Sequence, residues 1–423
     1  MSRPRVTMSL RGASTSSTAT APPSQQPSTH ASRTLRRPSR GLLVCLLSVA
    51  CAVAVSLLIW QRILWSSRVN GRHPAPWKQT MLEMSFAVGR AERVLRHTSP
   101  RTASVAAGRD GGSGETVLTA DRLANAAFAK LASPVRAVVT EESVASGLVH
   151  GGSSTDAIIF ADPLDASREF AEGLVEFAST SACLTVCGRP VAAITSFPLG
   201  PSPVTVVSLP DGRTLEFVDA AAARDALRSL PDASFFDAAV PARCSASPCT
   251  SRRRGPMNPH AAALSDRGGV RGIDIWGVKS ALRLILTRSQ LRNHSREDGH
   301  RTLAELVDVL RDRTGGTMSI TRAGGSSYKA RAVATGDADA YVHEGALRPW
   351  DTCAAELTLR SAGGVFSGYL GEEISYCIPE SWRTAGSTET RAALGKEVWG
   401  GSGVLAAAPQ LHASLLSLVR RGE

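Results

Sequence analysis

No aspartate or glutamate occurs before Glu83 in this 423-residue chain. That absence localises the net charge of +11: eleven of the 48 basic residues precede Glu83, and the remaining 37 match all 37 acids. The basicity belongs to an N-terminal appendage, and the formally neutral body lacks the positive footprint of a nucleic-acid binder. Residues 41–60, GLLVCLLSVACAVAVSLLIW, lack charge of either sign. At a rise of ~1.5 Å per residue such a run spans a ~30 Å hydrocarbon core. RTLRRPSR precedes it, and Trp60 and Trp65 sit where interfacial aromatics belong. The arginine bias puts the short arm in the cytosol and the body in a lumen or outside. A cleaved signal peptide is the alternative, since SVACAVA offers small residues, but the polar arm is long for a signal n-region.

Zinc spacing is also missing. CLTVC and CSASPC have neither a second matching pair nor nearby histidines. Cys45 and Cys51 lie in the apolar run; Cys244 and Cys249 are spaced to close a small loop, and Cys183 and Cys353 read as buried free thiols in apolar contexts. GRDGGSG lacks the Gly-Lys-Ser/Thr of a phosphate-cradling loop and reads as linker. GSGVLA at 401–406 fits a loose dinucleotide pattern, but no βαβ unit follows it. One glycosylation sequon, NHS at Asn293, fits a lumenal body.

What remains divides the chain into a disordered arm (1–40), a signal anchor (41–60), a stem (61–77), an α+β half (78–236), a Pro/Gly/Arg-rich exposed insertion (237–275) and an α/β half (276–423). KQTMLEMSFAVGRAERVLRH has the apolar spacing of an amphipathic helix, and TADRLANAAFAKLA is a helix opening at a Thr/Asp cap. VRAVVTEES and TDAIIFADPLD read as strands that end in carboxylates.

In ADPLDASREF two aspartates stand three apart with a hydroxyl two positions on. Like charges that close repel, and a shared cation is the usual remedy. Glu141, Asp162, Asp165 and Asp351 all stand at the ends of apolar segments. Carboxylates delivered at strand mouths suit magnesium, which takes oxygen ligands and keeps room for water and a substrate phosphate. Two such ions clamp both the attacking and leaving oxygens of a phosphoryl displacement.

TEESVASG, DPLDAS and WDTCAAELTLRSAGG resemble the three signature stretches of the lithium-sensitive, magnesium-dependent inositol monophosphatase superfamily, and TADRLAN resembles its upstream loop aspartate. The resemblance covers most of 78–423 outside the insertion. DPLDAS, AGGSSYK, RPWDTCA and GEEISY are similar to a Golgi branch of single-span enzymes that act on 3′-phosphoadenosine 5′-phosphate, a branch that has Ala where most of the superfamily has Gly, here Ala166. The resemblance implies a layered α-β-α-β-α sandwich, a small phosphorylated nucleotide as substrate, anchorage in the Golgi membrane through one helix, and at least two Mg2+ ions. It leaves a homodimer open. Glu141, Asp162 and the Leu164 carbonyl would hold one magnesium, and Asp162, Asp165 and Asp351 another. Asp121 and Ser167 would orient and deprotonate the attacking water, with Ala166, Thr287, Gln290, Gly325 and Lys329 contacting substrate. Ser167 replaces the family's Thr, keeping the hydroxyl without the methyl that restricts its rotamer. Thr287 and Gln290 replace Ser and His of that branch, which retunes the phosphate-facing side.

Overall fold

The computed structural model describes residues 76–100, 119–133, 136–145, 157–235, 281–288, 299–378 and 402–421. The arm, the apolar run, residues 61–75 of the stem, the insertion, Gln290, Asn293, Cys45, Cys51, Cys244 and Cys249 lie outside them, while Pro76 and Trp77, read as the end of the stem, open a helix. Among the described residues no helix is long and apolar enough to cross a membrane.

Two sheets organise the body. The first has six strands in chain order: β1 (Ala137–Thr140), β2 (Ala157–Asp165), β3 (Ser179–Val186), β4 (Arg189–Phe197), β5 (Val204–Ser208) and β6 (Thr214–Phe217), with only β1 and β2 parallel. The second joins β7 (Arg283–Thr287), β8 (Ser319–Ala323), β9 (Ala340–Glu344), β10 (Val365–Ser367) and β11 (Gly403–Ala407) in the order β10-β11-β9-β7-β8. The helices are α1 (Pro76–His97), α2 (Thr119–Phe128), α3 (Glu141–Ala145), α4 (Ser167–Ala171), α5 (Ala220–Ser229), α6 (Leu303–Arg313), α7 (Ser326–Ala334), α8 (Pro349–Ser361) and α9 (Pro409–Val419).

Strand periodicity sorts these into layers, because successive side chains point to opposite faces. In the first sheet Val138, Ile159, Ala161, Ala182, Leu184, Ala192 and Ile194 share a core with Met81, Met84 and Val88 of α1, Phe128 of α2 and Ala223 of α5. The intervening residues Val139, Ile158, Phe160, Cys183 and Ala193 face Trp350, Ala354 and Leu357 of α8. The second sheet repeats the device. Leu284, Leu286, Val342 and Leu405 meet Leu306 of α6 and Leu411 and Leu415 of α9. Ile285, Tyr341, Val404 and Ala406 meet Val333 of α7 and Leu359 of α8. The α7–α8 layer therefore lies between the two sheets, which is the expected α-β-α-β-α order. The helix starts follow local chemistry: the Asp219 side chain accepts from Ala222 N at 2.8 Å to cap α5, and Thr302 with Glu305 forms a capping box on α6.

One expectation fails. Cys183 and Cys353 are not free thiols but a disulfide, because β3 and α8 bring their Cα atoms to 5.9 Å across a sequence separation of 170. Cys187 and Cys377 are disulfide-bonded as well.

Burial on both faces of the second sheet is testable at two adjacent residues. Ile285 is 2% exposed and Leu286 0%, on opposite faces of β7. Ile285→Ala and Leu286→Ala should each cost about 2–5 kcal/mol in denaturant unfolding. A negligible cost at either position would mean that its face is open to solvent.

Candidate active site

The stretch that raised the question of repulsion ends β2. Asp162 and Asp165 are 2% and 6% exposed, and Asp351, in the first turn of α8, meets them from the intersheet layer. One carboxylate oxygen from each of the three lies within 4.8 Å of the others. Asp162 carries the electrostatic consequence: burial first, and then the charges of Asp165, Asp351 and Asp121, hold its carboxyl well above the usual range.

Each acid is locally fixed. Leu164 N donates to Asp162 Oδ1 at 3.0 Å, and Arg348 N donates to Asp351 Oδ2 at 2.8 Å. Asp165 reaches across to the second half of the body. It accepts from Ser326 N at 3.2 Å and Ser327 N at 2.9 Å, so the positive end of α7 faces its carboxylate. That approach requires Gly325, whose φ is +63° and at which a Cβ would stand 3.1 Å from Asp165 Oδ2 and 3.0 Å from Phe177 O.

Glu141 opens α3 directly after Thr140, whose strand partner Ala161 immediately precedes Asp162. It stands beside the cluster along the sheet edge but is not one of the three acids whose oxygens converge. Asp121 is buried in the first turn of α2 and close enough to raise the Asp162 carboxyl. The Leu164 carbonyl accepts from Ser167 Oγ at 2.8 Å. Ala166 adopts a left-handed conformation, φ 69° and ψ 39°. This explains why glycine suits the position and why alanine stores about 1–2 kcal/mol of backbone strain there.

Lys329, on α7, is 2% exposed with its Nζ 5.1 Å from the Tyr341 ring centroid. Burial lowers its pKa to about 8, opposed by the charges of Asp165, Glu169 and Asp351, so it stays largely cationic at neutral pH. Thr287, at the end of β7, shares a 2.7 Å hydrogen bond with His343 Nδ1. Burial and then Lys329 depress His343 to about 3, leaving a neutral imidazole. The Tyr341 hydroxyl lies 3.2 Å from Ser326 Oγ, and burial raises its pKa. Sequence reasoning missed Tyr341 and His343. Their signal was a polar-tipped pair at i and i+2 in AYVHE, which places both on the face of β9 that carries Tyr341 toward α7.

The donor set fits a hard divalent cation. It consists of oxygens alone, and Ser181, opposite Asp162 on β3, has a buried Oγ without a hydrogen-bond partner.

The sequence profile of the Inositol monophosphatase family matches residues 77–421. The chain belongs to the inositol monophosphatase family. It is 26% identical over 231 residues to inositol monophosphatase 3 of Xenopus laevis, covering 53% of this chain and 46% of that protein. It is 25% identical over 224 residues to the Golgi-resident adenosine 3′,5′-bisphosphate 3′-phosphatase of Callithrix jacchus, covering 52% of this chain and 43% of that one. The matched region thus spans less than half the length of these curated relatives. The crystal structure of the extragenic suppressor protein suhB of Bartonella henselae matches 82% of this chain and 100% of its own, with a TM-score of 0.49 and 17% identity.

Asp162 separates the cost of the site from its use. Folded and metal-free, it keeps its proton to higher pH than when unfolded, so its contribution to stability is full below the ordinary carboxylate range and is lost as pH rises through the raised value. Asp162→Asn should flatten that dependence and stabilise the metal-free protein by about 1–3 kcal/mol at neutral pH. It should also remove the stabilisation given by added Mg2+, both read from thermal melts. A variant less stable than wild type without metal would contradict the assigned repulsion.

Proposed function

We propose that the chain is a magnesium-dependent, lithium-sensitive phosphomonoesterase that removes the 3′-phosphate of 3′-phosphoadenosine 5′-phosphate, releasing AMP and phosphate. The observation that carries this reading is the convergence of two buried carboxylates and the half-buried Asp351, from both halves of the body, beside a buried lysine. Asp162, Asp165 and Asp351 would hold cations together with Glu141 and the Leu164 carbonyl. Magnesium bound there supplies charge stabilisation to the attacking and leaving oxygens of the displacement. Asp121 acts as the proton acceptor for the attacking water, and the Ser167 hydroxyl, next to the Leu164 carbonyl, orients it. Lys329 offers its cation to the substrate's phosphates, while Thr287 and the neutral His343 present hydrogen-bonding groups from the second sheet. Burial excludes bulk water and strengthens each of these interactions.

Two features support a lumenal body anchored in the Golgi membrane by residues 41–60. One is the charge-free run itself. The other is the pair of disulfide-bonded sites, since such bonds persist in oxidising compartments. The relative named as a Golgi-resident bisphosphate 3′-phosphatase supports the same assignment. The relative named inositol monophosphatase 3 supports the alternative substrate, an inositol phosphate handled by the same chemistry.

Phosphate release from 3′-phosphoadenosine 5′-phosphate, inositol phosphates and fructose bisphosphate separates these. The nucleotide should give the highest kcat/KM, with turnover abolished by chelation and inhibited by lithium. A higher kcat/KM on an inositol phosphate would transfer the assignment to that substrate. Within the same assay, Ser167→Ala should lower kcat by about 10²-fold with little change in substrate affinity, while Ser167→Thr keeps or raises it. An alanine variant with wild-type kcat would reduce the hydroxyl to a turn-forming group on the Leu164 carbonyl.

A further inference from the structure

The acids that repel one another come from different layers. Asp162 and Asp165 ride on β2, and Asp351 on α8, so whatever holds α8 against the first sheet sets their spacing. The disulfide runs through that contact. Cys353 is two residues beyond Asp351 in the first turns of α8. Cys183 is two residues beyond Ser181, the strand partner of Asp162, and therefore lies on the same face of β3. Both cysteines are buried, Cys183 at 1% and Cys353 at 0%, among Phe160, Trp350, Ala354, Leu357 and Tyr376. Apolar packing of this helix on the sheet is non-directional, whereas a covalent bond fixes one helix register. The burial of both sulfurs also shields the bond from dissolved thiols, which makes it a permanent tie rather than a switch.

We propose that the Cys183–Cys353 disulfide is a positioning device for the cation site, holding Asp351 against Asp162 and Asp165 in the face of their mutual repulsion. This rests on the metal-dependent reading above. A bond that only restricts the unfolded chain would stabilise the protein equally with and without metal. A bond that positions a ligand raises metal affinity itself.

The test is Mn2+ binding to the full chain in the absence of substrate, followed by titration calorimetry and the electron paramagnetic resonance of free Mn2+. Three variants are compared with wild type after their folding is checked by circular dichroism. Cys183→Ala/Cys353→Ala removes the bond. Cys183→Val/Cys353→Ala removes it while returning most of the lost volume. Cys187→Ala/Cys377→Ala removes disulfide-bonded cysteines away from Asp351, the Cys377 sulfur lying instead beside Gly188 at the β3–β4 turn.

The first two should bind Mn2+ about tenfold or more weakly, as expected when a group that orients a metal ligand is lost. The third should bind as wild type does. At saturating Mg2+ the first two should regain most of their kcat, because the catalytic groups are intact. Wild-type Mn2+ affinity in either bond-free variant would overturn the proposal. Recovery in the valine variant alone would assign the effect to packing, and an equal loss in the third variant would assign it to general loosening, so either also overturns it. Failure of both bond-free variants to fold would make the bond a requirement of the fold, against the proposal. Absence of Mn2+ binding by the wild type would instead overturn the metal-dependent reading beneath it.

Discussion

Mutual repulsion among Asp162, Asp165 and Asp351 is the constraint to which the surrounding structure answers. Two buried carboxylates and a half-buried third, with oxygens within 4.8 Å, are unfavourable by themselves and become favourable only around a cation. Until one binds, other interactions must oppose their separation. The amides at the start of α7 hold Asp165, the Leu164 amide holds Asp162, and the backbone at Arg348 holds Asp351. The bonds to Asp162 and Asp351 fix each acid to its own element, whereas those to Asp165 tie β2 to α7. None of them fixes α8 to the first sheet.

Tertiary contacts between the halves reinforce the tie between β2 and α7. The Gly325 approach brings the backbone of the second half onto Asp165, a fit that any side chain would spoil. Glu169 is buried where a Cβ on Gly324 would stand 2.6 Å from its Cδ, and Arg288 at the end of β7 pairs with Glu172 at 2.5 Å. The latter pair is exposed and adds little by itself. Strain at Ala166, the orphaned Ser181 hydroxyl and the raised Asp162 carboxyl all lie at this junction, where stability is given up for a preorganised site.

Much of this was legible in the chain. The candidate cation-binding acids announced themselves because each ends an apolar strand or opens a helix, and DPLDAS joins two of them with a hydroxyl. The two-faced burial of β2 and β7 follows from their continuous apolar runs. The Cys183–Cys353 pairing was not legible, because a separation of 170 residues carries no local pattern and both cysteines sit in apolar contexts. Tyr341 and His343 were hidden for a related reason: in AYVHE they are ordinary strand residues until Thr287 arrives from β7, and Ser326 and Lys329 from α7. The left-handed turn at Ala166 was masked by the residue itself, and only the resemblance, with Gly there in most of the superfamily, hinted at it.

Crystals of the chain grown with Mn2+ provide the most direct test, through anomalous difference density collected at the manganese edge. The account predicts at least one strong peak coordinated jointly by Asp162, Asp165 and Asp351, with the Ser181 hydroxyl turned toward the ligand shell. An ordered site in which the three carboxylates face one another without a peak, or in which Asp351 swings away while the ion binds elsewhere, would contradict it.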